Sequence, residues 1–223
     1  MLGARDFGAR GVAGPEVLGP DARRAGRGWP QCQRPLLACG GCGGWCLREQ
    51  ADAVRALAGS GQGPAVLVGH SHGRTIVTAA AAASPGLVAG VIYLDAAVPR
   101  SGESTSGTWP DSLRAELAGT VRGGQLPAPA ESAELAGADA CRPWPQCWAA
   151  LMAQVCRGAE TVAVPSGYIR CSPKPSWYER ARSAIAGRGG RTPVISGGHP
   201  MLTEPAVTAR AVARMAGQLL EVP

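Results

Sequence analysis

Gly69-His70-Ser71-His72-Gly73 fits the pattern G-x-S-x-G, in which a serine is carried on a sharp turn between a strand and a helix. The turn leaves little room for flanking side chains, so glycines stand on either side, and it lifts the serine oxygen toward an incoming substrate. A serine hydroxyl is a weak nucleophile near neutral pH and needs a general base within hydrogen-bond reach. Histidine is the usual base, and the chain has three. His70 and His72 flank Ser71 on the turn, which leaves His199, far later in the chain, as the candidate base. The chemistry such a pair performs is acyl transfer through a covalent serine intermediate.

The elements around the motif decide whether it means anything. Residues 64–68 form a short apolar run bounded by glycine and proline, as expected of a strand buried on both faces. Residues 75–83 are dominated by alanine, the best helix former, and Ser84-Pro85-Gly86 supplies a stop. Residues 88–94 read as a second buried strand with Asp95 at its carboxyl end. Strand, helix and strand with short links make a βαβ unit, so the strands should be parallel and joined by a right-handed crossover. Sites in open parallel sheets form beyond the carboxyl ends of strands, where Ser71 and Asp95 would both lie.

Further elements follow the same logic. Leu47, Ala51, Val54, Leu57 and Ala58 recur at helical spacing before Gly59-Ser60-Gly61. Residues 101–160 read as an excursion between sheet strands, a cap over the site, with short helices at 112–117 and 148–155. A strand is expected from residues 161–164 and 168–169, a helix over 177–186, and a last short strand at 193–195 that delivers His199 to the same sheet edge. Val207, Ala211, Val212, Met215, Leu219 and Leu220 then share one face of a closing helix. Residues 1–45 show no sustained period and little sign of a packed element.

Three stretches resemble the α/β-hydrolase superfamily, and within it small esterases and hydroxynitrile-lyase-like members. They are residues 65–73, residues 91–99 (Val91-Ile92-Tyr93-Leu94-Asp95-Ala96-Ala97-Val98-Pro99) and residues 196–202 (Ser196-Gly197-Gly198-His199-Pro200-Met201-Leu202). The stretches keep the family's order across residues 64 to 213, about two thirds of the chain. The resemblance implies one α/β domain over residues 1–223, a mostly parallel sheet flanked by helices. It also implies a triad of Ser71 as nucleophile, His199 as base and an acid. The backbone N–H groups of His72 and of Gly40, the latter in a Gly-rich loop at residues 36–45, are the implied oxyanion-hole donors.

The sequence departs from that family in three places. The family often sets its acid just after the strand that here reads residues 168–174, where no carboxylate occurs and Lys174 stands instead. Asp95 is then the candidate acid, because the end of the strand after the nucleophile helix is an alternative location for it. The competing reading is a buried aspartate that caps the following turn. Arg74 replaces the small residue usual at the start of the nucleophile helix; its side chain either reaches into the pocket or, the favoured expectation, points to solvent. Finally, only 25 residues (46–70) separate Trp45 from Ser71. These are too few for the usual helix, strand and helix, so the N-terminal part is reduced or atypical, through deletion or a shifted frame.

Composition bounds the remaining classes. A chain of 223 residues with 45% hydrophobic residues can fill one sizeable core. Its net charge of +6 rests on scattered arginines, Lys174 being the only lysine, and lacks the aromatic-interleaved basic stripe of a nucleic-acid binder. No apolar run approaches the length of a membrane span and no leader is evident, so a cytoplasmic protein with reduced thiols is expected. Cys32, Cys39, Cys42 and Cys46 lack the paired spacing of a zinc or iron–sulfur site, so neither metal nor cofactor is expected. Cys141, Cys147, Cys156 and Cys171 read as small apolar fillers in or under the cap. The expected function is a serine hydrolase of a small ester, thioester or lactone, in a biosynthetic setting, with a small-molecule substrate as partner. A non-catalytic binding protein and a lyase or cyclase using the same serine and histidine are the competing readings, and a homo-oligomer stays open.

Overall fold

Strands and helices alternate along this computed structural model, which describes residues 16–18, 47–61, 63–127, 146–156, 158, 160, 162–172, 176–196 and 204–221. In chain order the elements are β1 (Glu16–Leu18), α1 (Leu47–Gly59), β2 (Ala65–His70), α2 (Gly73–Ala83), β3 (Val88–Leu94), α3 (Asp111–Thr120), β4 (Gln125–Leu126), β5 (Gln146–Cys147), α4 (Trp148–Met152), β6 (Ser166–Ser172), α5 (Ser176–Ala186), β7 (Val194–Ser196) and α6 (Pro205–Leu220).

Five strands form one sheet in the order β1-β2-β3-β6-β7. β2, β3, β6 and β7 run parallel, and β1 closes one side antiparallel to β2, with Val17 opposite Leu67. All six residues of β2 are buried, as the apolar run after Pro64 requires of a strand covered on both faces.

The period of two sorts the strand residues into two layers. Ala65, Leu67, Val91, Tyr93 and Tyr168 face Val54 and Ala58 of α1, Ile76, Val77, Ala80 and Ala81 of α2, and Ala181 and Ile185 of α5. Val66, Val68, Ile92, Leu94, Ile169 and Cys171 face Val212, Met215, Ala216 and Leu219 of α6. Gly167 admits the second layer: a Cβ there would collide with the Met215 sulfur, so α6 can lie close to the sheet only because that position is bare. Truncating a fully buried core residue such as Ile92 to alanine costs about 2–5 kcal/mol, so these layers hold the sheet edge firmly.

The described residues 101–127 and 146–156 lie outside the sheet. α3, α4 and the β4–β5 ribbon enclose a separate apolar cluster of Trp109, Leu113, Leu117 and Leu151, with Leu126 and Trp148 packed against it. The Trp109 and Trp148 rings lie 6.4 Å apart at 43°. This cluster lies within the span, residues 101–160, in which a cap was expected.

Four expectations need correction. β1 exists within the segment that showed no period, because three residues are too short to display one and its pairing is supplied by distant β2. The strand expected to begin near residue 161 begins at Ser166, directly after Pro165. Proline has no N–H to give a ladder, and its carbonyl instead accepts from Val91 N–H at 3.0 Å. The helix expected over 148–155 stops at Met152, because Val155 bonds across to the cap root in both directions, its N–H to the Glu103 carbonyl (3.0 Å) and its carbonyl from Gly102 N–H (2.8 Å). Cys171 is a buried filler within the sheet rather than in the cap, and Cys156 is exposed.

Candidate active site

β2 ends at His70 and α2 starts at Gly73, which leaves Ser71 and His72 to reverse the chain. Ser71 does so at φ +50°, a left-handed conformation uncommon for a residue with a Cβ. The turn closes through Arg74 N–H and Thr75 N–H, which donate to the Ser71 carbonyl (3.3 Å) and the His72 carbonyl (2.9 Å). Gly69 makes room for it. A Cβ there would stand 2.5 Å from Val77 Cγ2 and 2.7 Å from Arg74 Cα, well inside contact distance. Ser71 is thus presented at the carboxyl edge of the sheet, ahead of a helix N-terminus that favours negative charge.

His70 lies within the buried end of β2. The His72 ring is tied on both nitrogens, 3.1 Å from Gln50 Oε1 of α1 and 2.9 Å from Thr105 Oγ1 of the cap root. Since the amide oxygen of Gln50 only accepts, Nε2 carries the proton and Nδ1 accepts from Thr105. Thr105 Oγ1 in turn accepts from Thr75 Oγ1 at 2.7 Å. This chain of donors runs one way only while the ring is neutral. Burial, together with the Arg74 cation, pushes the His72 pKa down to about 3, so the ring stays neutral and weakly basic near neutral pH.

Asp95 follows β3 as Ser71 follows β2, and it too is left-handed, at φ +46°. Aspartate tolerates that region better than most residues. Its carboxylate is buried, and Oδ1 accepts from Cys171 N–H of β6 at 3.2 Å, while its own N–H donates to the Ile169 carbonyl at 2.8 Å. Asp95 therefore ties the end of β3 to β6 through both its backbone and its carboxylate. Burial pushes the neighbouring Tyr168 hydroxyl upward, and the Asp95 charge adds to that shift.

Arg74 overturns the solvent-facing expectation. Only 3% exposed, it folds back under the turn, with Nη1 donating to the Ser71 carbonyl at 2.7 Å and Nη2 to Thr108 Oγ1 at 2.8 Å. Thr105, Thr108 and Gln50 had no sequence signal, since they sit in segments without motif and meet the turn only after folding. His199, Gly40, Lys174, Cys141 and the four cysteines at positions 32, 39, 42 and 46 lie outside the described residues. Among the described residues, no cluster of metal-ligating side chains occurs, and no helix is long and apolar enough to cross a membrane.

The model of the alpha/beta hydrolase family matches residues 4–211. This chain belongs to the α/β hydrolase family. The mostly parallel sheet and the serine turn at the end of β2 agree with that membership. The hydrolase fold is also found in solved structures of low sequence identity. An extracellular α/β-hydrolase from a Paenibacillus species, described as sharing structural and functional homology with tobacco salicylic acid binding protein 2, is 17% identical, with a TM-score of 0.62 over 77% of this chain and 80% of that one. A pyrethroid hydrolase from Sphingobium faniae is 19% identical, with a TM-score of 0.59 over 80% of this chain and 82% of that one. A tomato methylketone synthase I variant bound to beta-ketoheptanoate is 14% identical, with a TM-score of 0.58 over 89% of each chain. No curated protein matches the sequence.

Proposed function

We propose that this α/β hydrolase is a serine esterase that cleaves a small ester, thioester or lactone through an acyl-enzyme. The supporting observation is the left-handed Ser71 between a fully buried strand and a helix, a strained geometry that the fold maintains at about 1–3 kcal/mol and that serves to present a hydroxyl. In this reading Ser71 Oγ attacks the acyl carbon while the His199 imidazole takes its proton. The carbonyl oxygen becomes an oxyanion that accepts from the His72 N–H and from a second donor, for which Gly40 is the candidate. Collapse of the tetrahedral intermediate expels the alcohol, thiol or internal hydroxyl, which takes the proton back from His199. Water, deprotonated by the same imidazole, then releases the acid and restores Ser71.

The tied, neutral ring of His72 supports the choice of His199, because of the two histidines on the turn it is the one nearest solvent and it is weakly basic. Asp95 is the acid that would orient His199, alongside its bond to Cys171. An activated fluorophosphonate should label the wild type and leave S71A unlabelled, with p-nitrophenyl butyrate hydrolysis lost in parallel. Equal labelling of both proteins rules the reading out.

A further inference from the structure

Arg74 is a buried cation with no carboxylate partner at ion-pair distance among the described residues. Glu103 on the cap root is engaged by Arg180 at 3.1 Å. The Arg74 guanidinium spends its N–H groups on three acceptors that belong to two different parts of the chain. Nη1 donates to the carbonyl of Ser71 itself, while Nη2 reaches the Thr105 carbonyl at 3.3 Å and Thr108 Oγ1 at 2.8 Å. The Thr108 hydroxyl also donates to the Thr105 carbonyl at 2.8 Å, so the acceptor pair is itself braced. Nε has no hydrogen-bond partner, and a buried guanidinium left in this state is costly to keep. A lysine has no planar fork to span acceptors on both sides in this way.

We propose that Arg74 is a positioning residue that clamps the nucleophile turn to the root of the cap and holds a positive charge beside the reacting serine. The inference rests on Ser71 being the nucleophile. The Ser71 carbonyl is fixed by both the Arg74 side chain and the Arg74 backbone N–H, which holds the left-handed turn from below. Thr105 carries the same clamp onward to His72 and Thr75, so cap and turn share one polar joint. Burial brings the Arg74 pKa down only to about 10, so the charge persists at working pH. A cation so placed disfavours a second positive charge on any imidazole within reach of Ser71 and favours the oxyanion. The other titratable groups around it are His72 on the turn, Asp95 at the end of β3, Tyr168 on β6, Tyr178 on α5, and Glu103 with its partner Arg180.

The test uses the full chain as wild type, R74M, R74K and T108V, with fluorophosphonate labelling rate against pH and amide hydrogen exchange read by mass spectrometry. R74M should label about 10–100-fold more slowly, as displacement of a nucleophile by a fraction of an ångström to an ångström does. Its acid limb should move up by about half a unit once the cation is gone, while R74K keeps the wild-type limb at a reduced rate. Exchange in peptides covering residues 102–110 should quicken about tenfold in R74M, the effect of losing a charge-assisted hydrogen bond, with β3 unchanged. T108V should shift exchange the same way by less. Wild-type labelling together with wild-type exchange in R74M overturns the clamp, and slowed labelling with an unmoved acid limb overturns the charge effect. Should R74M lack a cooperative thermal transition, R74K and T108V decide by the same readouts. A wild type that is not labelled at all removes the esterase reading, and exchange alone then decides the clamp.

Discussion

Ser71 and Asp95 occupy equivalent positions on neighbouring parallel strands, each one residue beyond the registered pair His70 and Leu94, and both are left-handed. They are the only non-glycine residues of that kind among the described residues. Two adjacent strand ends thus leave the sheet in the same unusual conformation at its carboxyl edge.

Relief of the strain at Ser71 should be measurable. S71G is expected to stabilise the fold by about 1 kcal/mol, because glycine adopts a positive φ without the Cβ penalty, whereas S71A should leave stability nearly unchanged. Both should abolish fluorophosphonate labelling. Urea unfolding of the three proteins gives the comparison, and a destabilised S71G contradicts the assignment of strain.

Asparagine at position 95 separates the two duties of Asp95. D95N keeps an oxygen for Cys171 N–H and tolerates the left-handed backbone, so its stability should remain within about 1 kcal/mol of wild type. Its ester turnover should fall by about four orders of magnitude, the loss typical when the group that orients a catalytic histidine can no longer do so. Wild-type turnover in D95N would confine Asp95 to tying β3 to β6.

Crowding at Gly69 predicts an intolerant position. G69A should cost about 2–3 kcal/mol and displace the turn, since the new methyl meets Val77 Cγ2 at 2.5 Å and Arg74 Cα at 2.7 Å. Adding V77A should not restore it, because the remaining clash is with backbone atoms. Recovery of stability in the double variant, measured by thermal unfolding, would show that the side chain alone was the obstacle.

The His72 ring predicts a pH dependence of stability. Its folded pKa lies near 3, below the ordinary 6.5, so the unfolded chain binds a proton first as pH falls. Stability tied to the neutral ring is complete above about pH 6.5 and is lost progressively toward pH 3. H72Q removes this contribution, so its unfolding free energy should fall less steeply than that of wild type over that range. Parallel slopes in urea titrations at several pH values would contradict the one-way donor chain.

β2, α2, β3 and the turn between β2 and α2 were legible because their signals are local. β2 and β3 are uninterrupted apolar runs, α2 is alanine-rich, and the turn between them carries a short motif with glycines where backbone must pass close. The joint beneath the turn was not legible. Arg74 meets Thr105 and Thr108 across 31 and 34 residues, and His72 meets Gln50 across 22, separations at which no periodicity or motif can speak. An arginine at the start of a helix looks solvated by composition, and only the packing of the cap root makes it buried. Asp95 was placed correctly at a strand end, but its bond to Cys171 depends on β6 arriving beside β3 after a detour through the cap.

The apolar kernel formed by Trp109, Leu113, Leu117 and Leu151 shares no member with the two layers that grip the sheet. Substitutions inside this kernel should therefore be absorbed locally, with the sheet layers keeping their packing, so the two regions can lose stability independently of each other.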